Sequence, residues 1–102
     1  MIQIQWTCPN VEEAKKIIYL LLEKKLIACA NIIPHITSIY AWKGAIETAQ
    51  EVKVLLKTLD QHFLAIRTLI QENCSYDVPE ISKIIIDEAN PPYLEWLKEE
   101  IQ

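Results

Sequence analysis

The pattern of apolar residues along the 102-residue chain predicts an α+β fold. Segments with the period-2 alternation of strands are interleaved with segments of helical spacing, in the order β-α-β-β-α-β with an extra C-terminal helix. With only one glycine and five prolines, the elements should be long and joined by short loops. This order is that of the ferredoxin-like arrangement, a split βαβ unit, and it predicts one domain over residues 1–102.

The first strand and the first helix are predicted close to the N-terminus. Apolar and polar residues alternate over residues 2–8, which indicates a strand. Asn10, with Glu13 three positions later, has the spacing of a helix cap. Apolar residues at helical spacing then carry the helix to about Lys25, and they are Val11, Ala14, Ile17, Ile18 and Leu21.

Two unusually long strands joined by a tight turn are predicted next. The alternation over residues 28–42 indicates a strand, and Pro34 within it predicts a bulge or bend near residues 33–35 because proline cannot donate to a ladder. The only glycine follows in Lys43-Gly44, which marks a hairpin turn. The return strand is predicted over residues 45–57.

The last third of the chain is predicted to add a helix, a strand and a short terminal helix. Asp60 is expected to cap the second helix, whose buried stripe is Phe63, Ile66, Leu69 and Ile70. Residues 81–86 are apolar on both faces, which predicts a strand that is central or covered on both sides. Asn90 before Pro91 begins the terminal helix, with proline at its first position. The side chains expected to be buried there are Leu94, Leu97 and Trp96.

The length of the predicted hairpin indicates an oligomer. Its strands of about 13 to 15 residues far exceed the usual 5–6, and two helices cannot cover their whole length. The outer parts carry the apolar residues Ile36, Ile39, Tyr40 and Trp42. Such a hairpin aggregates unless another chain covers it or pairs with its edge, so we expect an obligate oligomer. Strand length alone leaves the number of subunits open.

Composition and charge exclude several classes of function. The formal charge of -4 and the pI near 5.1 argue against a nucleic-acid partner, which requires a basic face. The longest apolar run, residues 17–22, is too short to span a membrane. Three cysteines without paired spacing, and no secretory leader, indicate free thiols in a reducing, cytoplasmic compartment. We expect no catalysis, because no glycine-rich phosphate loop, Ser-His-Asp signature or His-Glu-x-x-His motif is present.

Several short motifs, in the predicted order, cover almost the whole chain. They are Thr7-Cys8-Pro9, Ala28-Cys29-Ala30-Asn31-Ile32, Thr37-Ser38-Ile39-Tyr40-Ala41-Trp42-Lys43-Gly44, Lys57-Thr58, Tyr76-Asp77-Val78-Pro79-Glu80-Ile81 and Asn90-Pro91-Pro92-Tyr93-Leu94-Glu95-Trp96-Leu97. Together they resemble the CutA family of divalent-ion tolerance proteins. The resemblance implies a tight homotrimer with hairpins reaching across subunit boundaries, and an architecture similar to that of the trimeric PII signalling proteins. It also implies a role in tolerance to copper and other divalent metal ions, with no established enzymatic reaction.

The chain departs from the family pattern at two positions. Cys74-Ser75 stands where the family commonly has His-Pro before its Tyr-Glu-Val-Pro-Glu motif. If that histidine holds metal in relatives, either a thiolate replaces it here or the ligand is lost. His35 follows Pro34 where a small residue is more usual.

Cys8, Cys29, Cys74 and His35 are the candidate metal ligands, because copper(I) prefers thiolates and then imidazole. Their spacing matches no CxxC-type site. The predicted topology places Cys8 and Cys74 at one end of the sheet and Cys29 at the other, so a site with Cys29 and Cys74 would be built between chains. The alternative interpretation is a small buried hydrophobe for Cys29 and a surface loop residue for His35.

A second candidate site consists of Tyr40, Trp42, Lys57, Tyr76 and Glu80. A strand-ending lysine, two residues around a proline and hairpin aromatics can line a polar cleft at a subunit boundary, which would take a small anion or metabolite. A PII-like signalling adaptor is therefore the alternative to a copper tolerance protein. In the purely structural interpretation, Tyr40 and Trp42 anchor the interface, and Lys57 forms an ion pair with Glu80.

Overall fold

The elements of the computed structural model, which describes residues 1–101, follow the predicted order. They are β1 (Ile2–Cys8), α1 (Val11–Glu23), β2 (Cys29–Trp42), β3 (Ala45–Thr58), a 3-10 turn (Asp60–His62), α2 (Phe63–Asn73), β4 (Ile81–Ile85) and α3 (Pro91–Glu100). The four strands form one sheet in the order β2-β3-β1-β4, and each neighbouring pair is antiparallel. This is the predicted ferredoxin-like arrangement.

The main core lies between one face of the sheet and the helices α1 and α2. Alternate residues of β1 point into this core and are buried. The residues of β3 that pair with them also point into the core and are buried. The buried residues of this core include Ile2, Ile4, Trp6, Cys8, Ile17, Leu21, Val54, Leu56, Ile66 and Ile70. Gln3, Gln5 and Thr7 therefore point to the opposite side of the sheet, which we call the second face.

Two helix starts differ in how well the sequence predicted them. The cap of α1 is confirmed, because Asn10 Oδ1 accepts a hydrogen bond from the backbone N–H of Glu13 at 2.8 Å. The prediction that Asp60 caps the second helix is wrong. Asp60 opens the 3-10 turn before α2, and its carboxylate accepts a 2.6 Å hydrogen bond from Lys83 Nζ on β4 instead. His62 occupies the cap position of α2 without a capping side-chain bond.

The long hairpin and its tight turn are confirmed. Each of its strands has 14 residues, and Trp42 pairs with Ala45 across the turn. Both turn residues lie in the left-handed region, with φ of 49° at Lys43 and 83° at Gly44. These are the backbone angles of the two-residue turn that matches the twist of paired strands, which explains the position of the only glycine.

The predicted bulge in β2 is also confirmed. Ile33 pairs with Lys53 but Ile36 pairs with Glu51, so β2 contains one extra residue between these pairs. His35 lies in this segment with φ of 60°. Because side chains alternate along a strand, the extra residue moves the even-numbered positions after it onto the second face. Those positions are Ile36, Ser38, Tyr40 and Trp42.

The hairpin and the edge strand β4 expose apolar side chains. Ile39 is 71% exposed and Ile46 is 83% exposed on the outer part of the hairpin. The prediction that the last strand is central or covered on both sides is wrong within this chain. Among residues 1–101, β4 pairs only with β1 and forms an edge of the sheet, where Ile85 is 73% exposed.

The terminal helix begins with Pro91 at its first position, as predicted. Leu97 is buried in a small second cluster with Ala28 and Ile101, whereas Leu94 is half-buried and Trp96 remains exposed. The predicted burial of Trp96 is therefore wrong. Within residues 1–101, no helix combines the length and apolar composition needed to cross a membrane.

Candidate functional site

A cavity of about 440 Å³ lies on the second face of the sheet, between the hairpin and the loop that precedes β4. Four of the five residues predicted for a cleft line it: Tyr40, Trp42, Tyr76 and Glu80. The other lining residues are Thr7, Ile36, Ser38, Glu51, Lys53, Asp77 and Val78. The bulge in β2 creates this arrangement, because it is the bulge that brings Tyr40 and Trp42 to the side of Glu51 and Lys53.

Glu80 lines the cavity and accepts hydrogen bonds from three donors. Its Oε1 accepts hydrogen bonds from Lys53 Nζ at 2.9 Å and from Thr7 Oγ1 at 3.0 Å. Its Oε2 accepts one from Ser82 Oγ at 3.0 Å. Burial raises the pKa of Glu80, but these donors outweigh burial and hold that pKa below its ordinary value. Glu80 is therefore a carboxylate at neutral pH.

Tyr76 joins the loop before β4 to the hairpin. Its hydroxyl donates a 2.7 Å hydrogen bond to Glu51 Oε2 on β3. Burial raises the pKa of Tyr76, and the bond to Glu51 raises it further. Tyr76 is therefore a neutral hydroxyl donor, and it fixes the loop before β4 against the hairpin.

Lys57 lies outside this cavity, in contrast to the prediction. Its Nζ donates a 3.0 Å hydrogen bond to Asn31 Oδ1 on β2. Lys53 and Lys57 share one face of β3 but lie four positions, or about 13 Å, apart along the strand. The predicted ion pair between Lys57 and Glu80 is therefore wrong, and Lys53 forms it instead.

Cys8 and Cys74 lie at the same end of the sheet, where β1 ends and the loop before β4 begins. The Cys8 thiol donates to the carbonyl oxygen of Asn10 at 3.6 Å, and the Cys74 thiol donates to that of Tyr76 at 3.5 Å. Burial raises the pKa of Cys8 to about 11, and the carboxylate of Glu13 also raises it. Burial and the same carboxylate raise the pKa of Cys74. Both thiols are therefore protonated at neutral pH.

Cys29 and His35 lie apart from these two thiols. Cys29 opens β2 at the other end of the sheet, where its Sγ is 3.3 Å from the hydroxyl of Tyr93. This contact, together with burial, raises the pKa of Tyr93 to about 12. His35 occupies the bulge and lines a smaller concavity of about 300 Å³ beside the start of α1. Among residues 1–101, no three His, Cys, Asp or Glu side chains are grouped to hold a metal ion.

The sheet order, the helices packed on one face and the long hairpin define a ferredoxin-like subunit with a cavity on its second face. Residues 2–100 match the family model described as CutA1 divalent ion tolerance protein, and the chain belongs to this family. The family resemblance of the sequence motifs is thereby confirmed.

Relatives from distant organisms are similar to this chain in sequence. Protein CutA of Mus musculus is 43% identical over 91 residues, which are 89% of this chain and 51% of that protein. The chain thus spans about half the length of the mouse relative. Divalent-cation tolerance protein CutA of Pyrococcus horikoshii is 42% identical over 100 residues, which are 98% of this chain and 97% of that protein.

A solved structure extends the similarity to the whole backbone. The periplasmic divalent cation tolerance protein CutA from Archaeoglobus fulgidus superposes with a TM-score of 0.96 at 39% identity, covering 100% of both chains. The family description and the names of the relatives from Pyrococcus horikoshii and Archaeoglobus fulgidus denote tolerance to divalent ions or cations and name no catalysed reaction.

Proposed function

We propose that this protein contributes to tolerance of divalent cations, copper in particular, as a homotrimer that binds the ion or signals its presence and catalyses no reaction. Membership of the family over residues 2–100 supports the cation class. The observation that carries the copper proposal is the placement of the Cys8 and Cys74 thiols at one end of the sheet, beside the Glu13 carboxylate that acts on both.

The chemistry of these thiols fits copper(I). Thiolate sulfur is the soft ligand that copper(I) prefers, and each thiol must lose its proton to bind. The carboxylate of Glu13 lies near both thiols, because its negative charge is one cause of the raised pKa of Cys8 and of Cys74. The same negative charge attracts a bound cation. Within residues 1–101 these two thiols belong to no group of three ligands, so any further ligand would come from another copy of the chain.

The exposed apolar side chains support an assembly of several copies. Ile39, Ile46 and Ile85 are each more than 70% exposed in the single chain, along a hairpin and an edge strand that are otherwise prone to aggregation. A closed symmetric oligomer covers such surfaces without leaving a free edge. The count of three subunits comes from the resemblance to the family.

Native mass spectrometry of the reduced protein, alone and with a slight excess of copper(I), tests this proposal. We expect a trimer that gains copper in multiples of three. The double variant Cys8→Ser, Cys74→Ser should lose this uptake, and Cys29→Ser shows whether Cys29 of a neighbouring copy supplies a further ligand. Unchanged uptake in a variant with all three cysteines replaced by serine would refute a thiolate site.

Binding of a small molecule, as in a PII-like signalling adaptor, is the second candidate function. The observation that favours it is the cavity of about 440 Å³, since small-molecule sites are concave, have similar volumes and contain a few convergent polar groups. Thermal-shift screening of metabolites tests this function. Because Lys53 rather than Lys57 lines the cavity, Lys53→Ala should change a response that Lys57→Ala leaves intact.

We place the protein in a reducing, cytoplasmic compartment, because all three cysteines are free. The relative from Archaeoglobus fulgidus is described as periplasmic, so the compartment of this protein has to be measured on its own. Rapid alkylation of thiols in intact cells tests the proposal. We expect all three cysteines to be labelled when the protein is unfolded without a reducing agent. A disulfide-linked species would contradict the reducing compartment.

A further inference from the structure

We infer that the cavity on the second face binds a small organic cation, an alkylammonium or guanidinium compound, and not an anion. This inference rests on the second candidate function, ligand binding in the cavity. It assigns the charge class of the ligand from the side chains that line the walls. The argument depends on the balance of charges, on the aromatic walls and on the size of the cavity.

The lining residues carry more negative than positive charge. Glu51, Asp77 and Glu80 contribute three carboxylates, and Lys53 contributes the one ammonium group. Lys53 lies 2.9 Å from Glu80, so each of these two charges is already compensated by the other. Glu51 accepts its 2.7 Å hydrogen bond from the neutral hydroxyl of Tyr76, which leaves the carboxylate charge in place. The cavity thus keeps the two negative charges of Glu51 and Asp77.

Three aromatic rings line the cavity beside aliphatic and hydroxyl side chains, and these rings also favour a cation. Tyr40, Trp42 and Tyr76 line the cavity, and the faces of aromatic rings attract ammonium and guanidinium groups. The ring of Trp42 already attracts one such group, because Lys43 Nζ lies 5.7 Å from its centroid. Carboxylates combined with aromatic walls are the features by which proteins recognise organic cations.

A metal ion and an anion both fit this cavity less well. A metal ion needs several donor atoms converging at about 2.0–2.6 Å, and no three acidic, histidine or cysteine side chains within residues 1–101 are grouped in that way. The volume of about 440 Å³ is that of a site for a small molecule. An anion would have to displace Glu80 from Lys53 while remaining close to Glu51 and Asp77.

Isothermal titration calorimetry of the reduced, assembled protein in an amine-free buffer at low salt tests the inference. Spermidine and choline are the cation probes, and citrate and inorganic phosphate are the anion probes. We expect heat of binding from a cation probe only. Glu51→Gln and Asp77→Asn should each weaken that binding about fivefold, the effect of removing one partly exposed charge partner. Glu72→Gln, the same change at an exposed position of α2 outside the cavity, should change it less than about twofold.

The outcomes separate this inference from the functions on which it rests. Cation binding that Glu51→Gln and Asp77→Asn leave unchanged would overturn the assignment of the ligand to these carboxylates. Binding of an anion probe that Lys53→Ala abolishes would overturn the charge class and would leave the second candidate function in place. Silence from all four probes would overturn the inference, and the thermal-shift screen of metabolites would decide separately whether the second candidate function stands. Thermal unfolding and native mass spectra of every variant show that the fold and assembly persist.

Discussion

Lys53 Nζ lies 2.9 Å from Glu80 Oε1, and this ion pair joins the middle of the long hairpin to the start of the edge strand. The same oxygen accepts a hydrogen bond from the hydroxyl of Thr7. Thr7 on β1 is the residue that pairs with Lys53 on β3. Ser82 on β4 donates to the other oxygen of Glu80, so donors from three strands converge on one carboxylate. Because the ion pair is partly exposed, its role is to set the position of the loop before β4 and the polar floor of the cavity, more than to provide stability.

Acid should remove the stabilising contribution of Glu80. The pKa of Glu80 is lower in the folded protein than its ordinary value of 4.5, so the charged carboxylate stabilises the fold above that pH. The contribution disappears as the pH falls through the folded-state pKa. Glu80→Gln should therefore lower the free energy of unfolding at neutral pH by less than about 1 kcal/mol, and by nothing in strong acid. Urea unfolding at fixed protein concentration measures this free energy at neutral pH and in strong acid, with Glu72→Gln as the control. An equal loss of stability under the two conditions would contradict the assignment.

Copper(I) affinity should rise with pH if Cys8 and Cys74 are the ligands. The pKa of Cys8 is raised to about 11 and that of Cys74 is also raised, so the ion must displace a proton from each thiol near neutral pH. Competition with a chromogenic copper(I) chelator at about pH 6 and about pH 8 should show affinity rising about tenfold per pH unit for each proton displaced. Cys8→Ser should make this dependence shallower by one proton. A pH-independent affinity in the natural sequence would exclude both thiols.

The sequence predicted the strands, the hairpin turn and the bulge because each has a local cause. Alternating side chains, the only glycine in the chain and Pro34 within a strand pattern act over a few residues. The position of β4 has no such cause. A segment with apolar residues on both faces is expected for a central strand. The same pattern is expected for an edge strand whose apolar surface packs against another chain. The exposed Ile85 therefore could not be predicted from residues 81–86 alone.

The candidate site shows the same division between local and distant causes. Tyr40, Trp42, Tyr76 and Glu80 were predicted to line a cleft from their positions in the predicted elements, and they line one cavity. Lys53 was missed because Lys53 and Lys57 occupy equivalent positions in the alternation of β3. Only the register that places Lys53 opposite Thr7, beside Glu80, distinguishes them. That register depends on pairing between strands more than forty positions apart in the chain.

The residue at the bulge should control stability through its backbone conformation. His35 has a φ of 60°, which glycine adopts freely and a β-branched residue adopts only with strain. His35→Gly should leave the free energy of unfolding unchanged or raise it by up to about 1 kcal/mol, whereas His35→Val should lower it by about 1–2 kcal/mol. Chemical unfolding of the two variants measures this difference. A His35→Val variant as stable as His35→Gly would show that the bulge does not depend on the backbone conformation of this residue.

Charged substitutions on the outer hairpin should prevent assembly. Ile39 and Ile46 are 71% and 83% exposed in the single chain. Both lie on the same face of the outer hairpin. If neighbouring copies cover this surface, Ile39→Lys or Ile46→Lys would bury an unpaired ammonium group in the interface, which strongly destabilises association. Light scattering after size-exclusion chromatography should therefore find a trimer for the natural sequence and smaller or aggregated species for these variants. Leu64→Lys on α2, where the leucine is 62% exposed, is the matched control and should remain trimeric. Trimers in both hairpin variants would show that the outer hairpin is not the surface that holds the copies together.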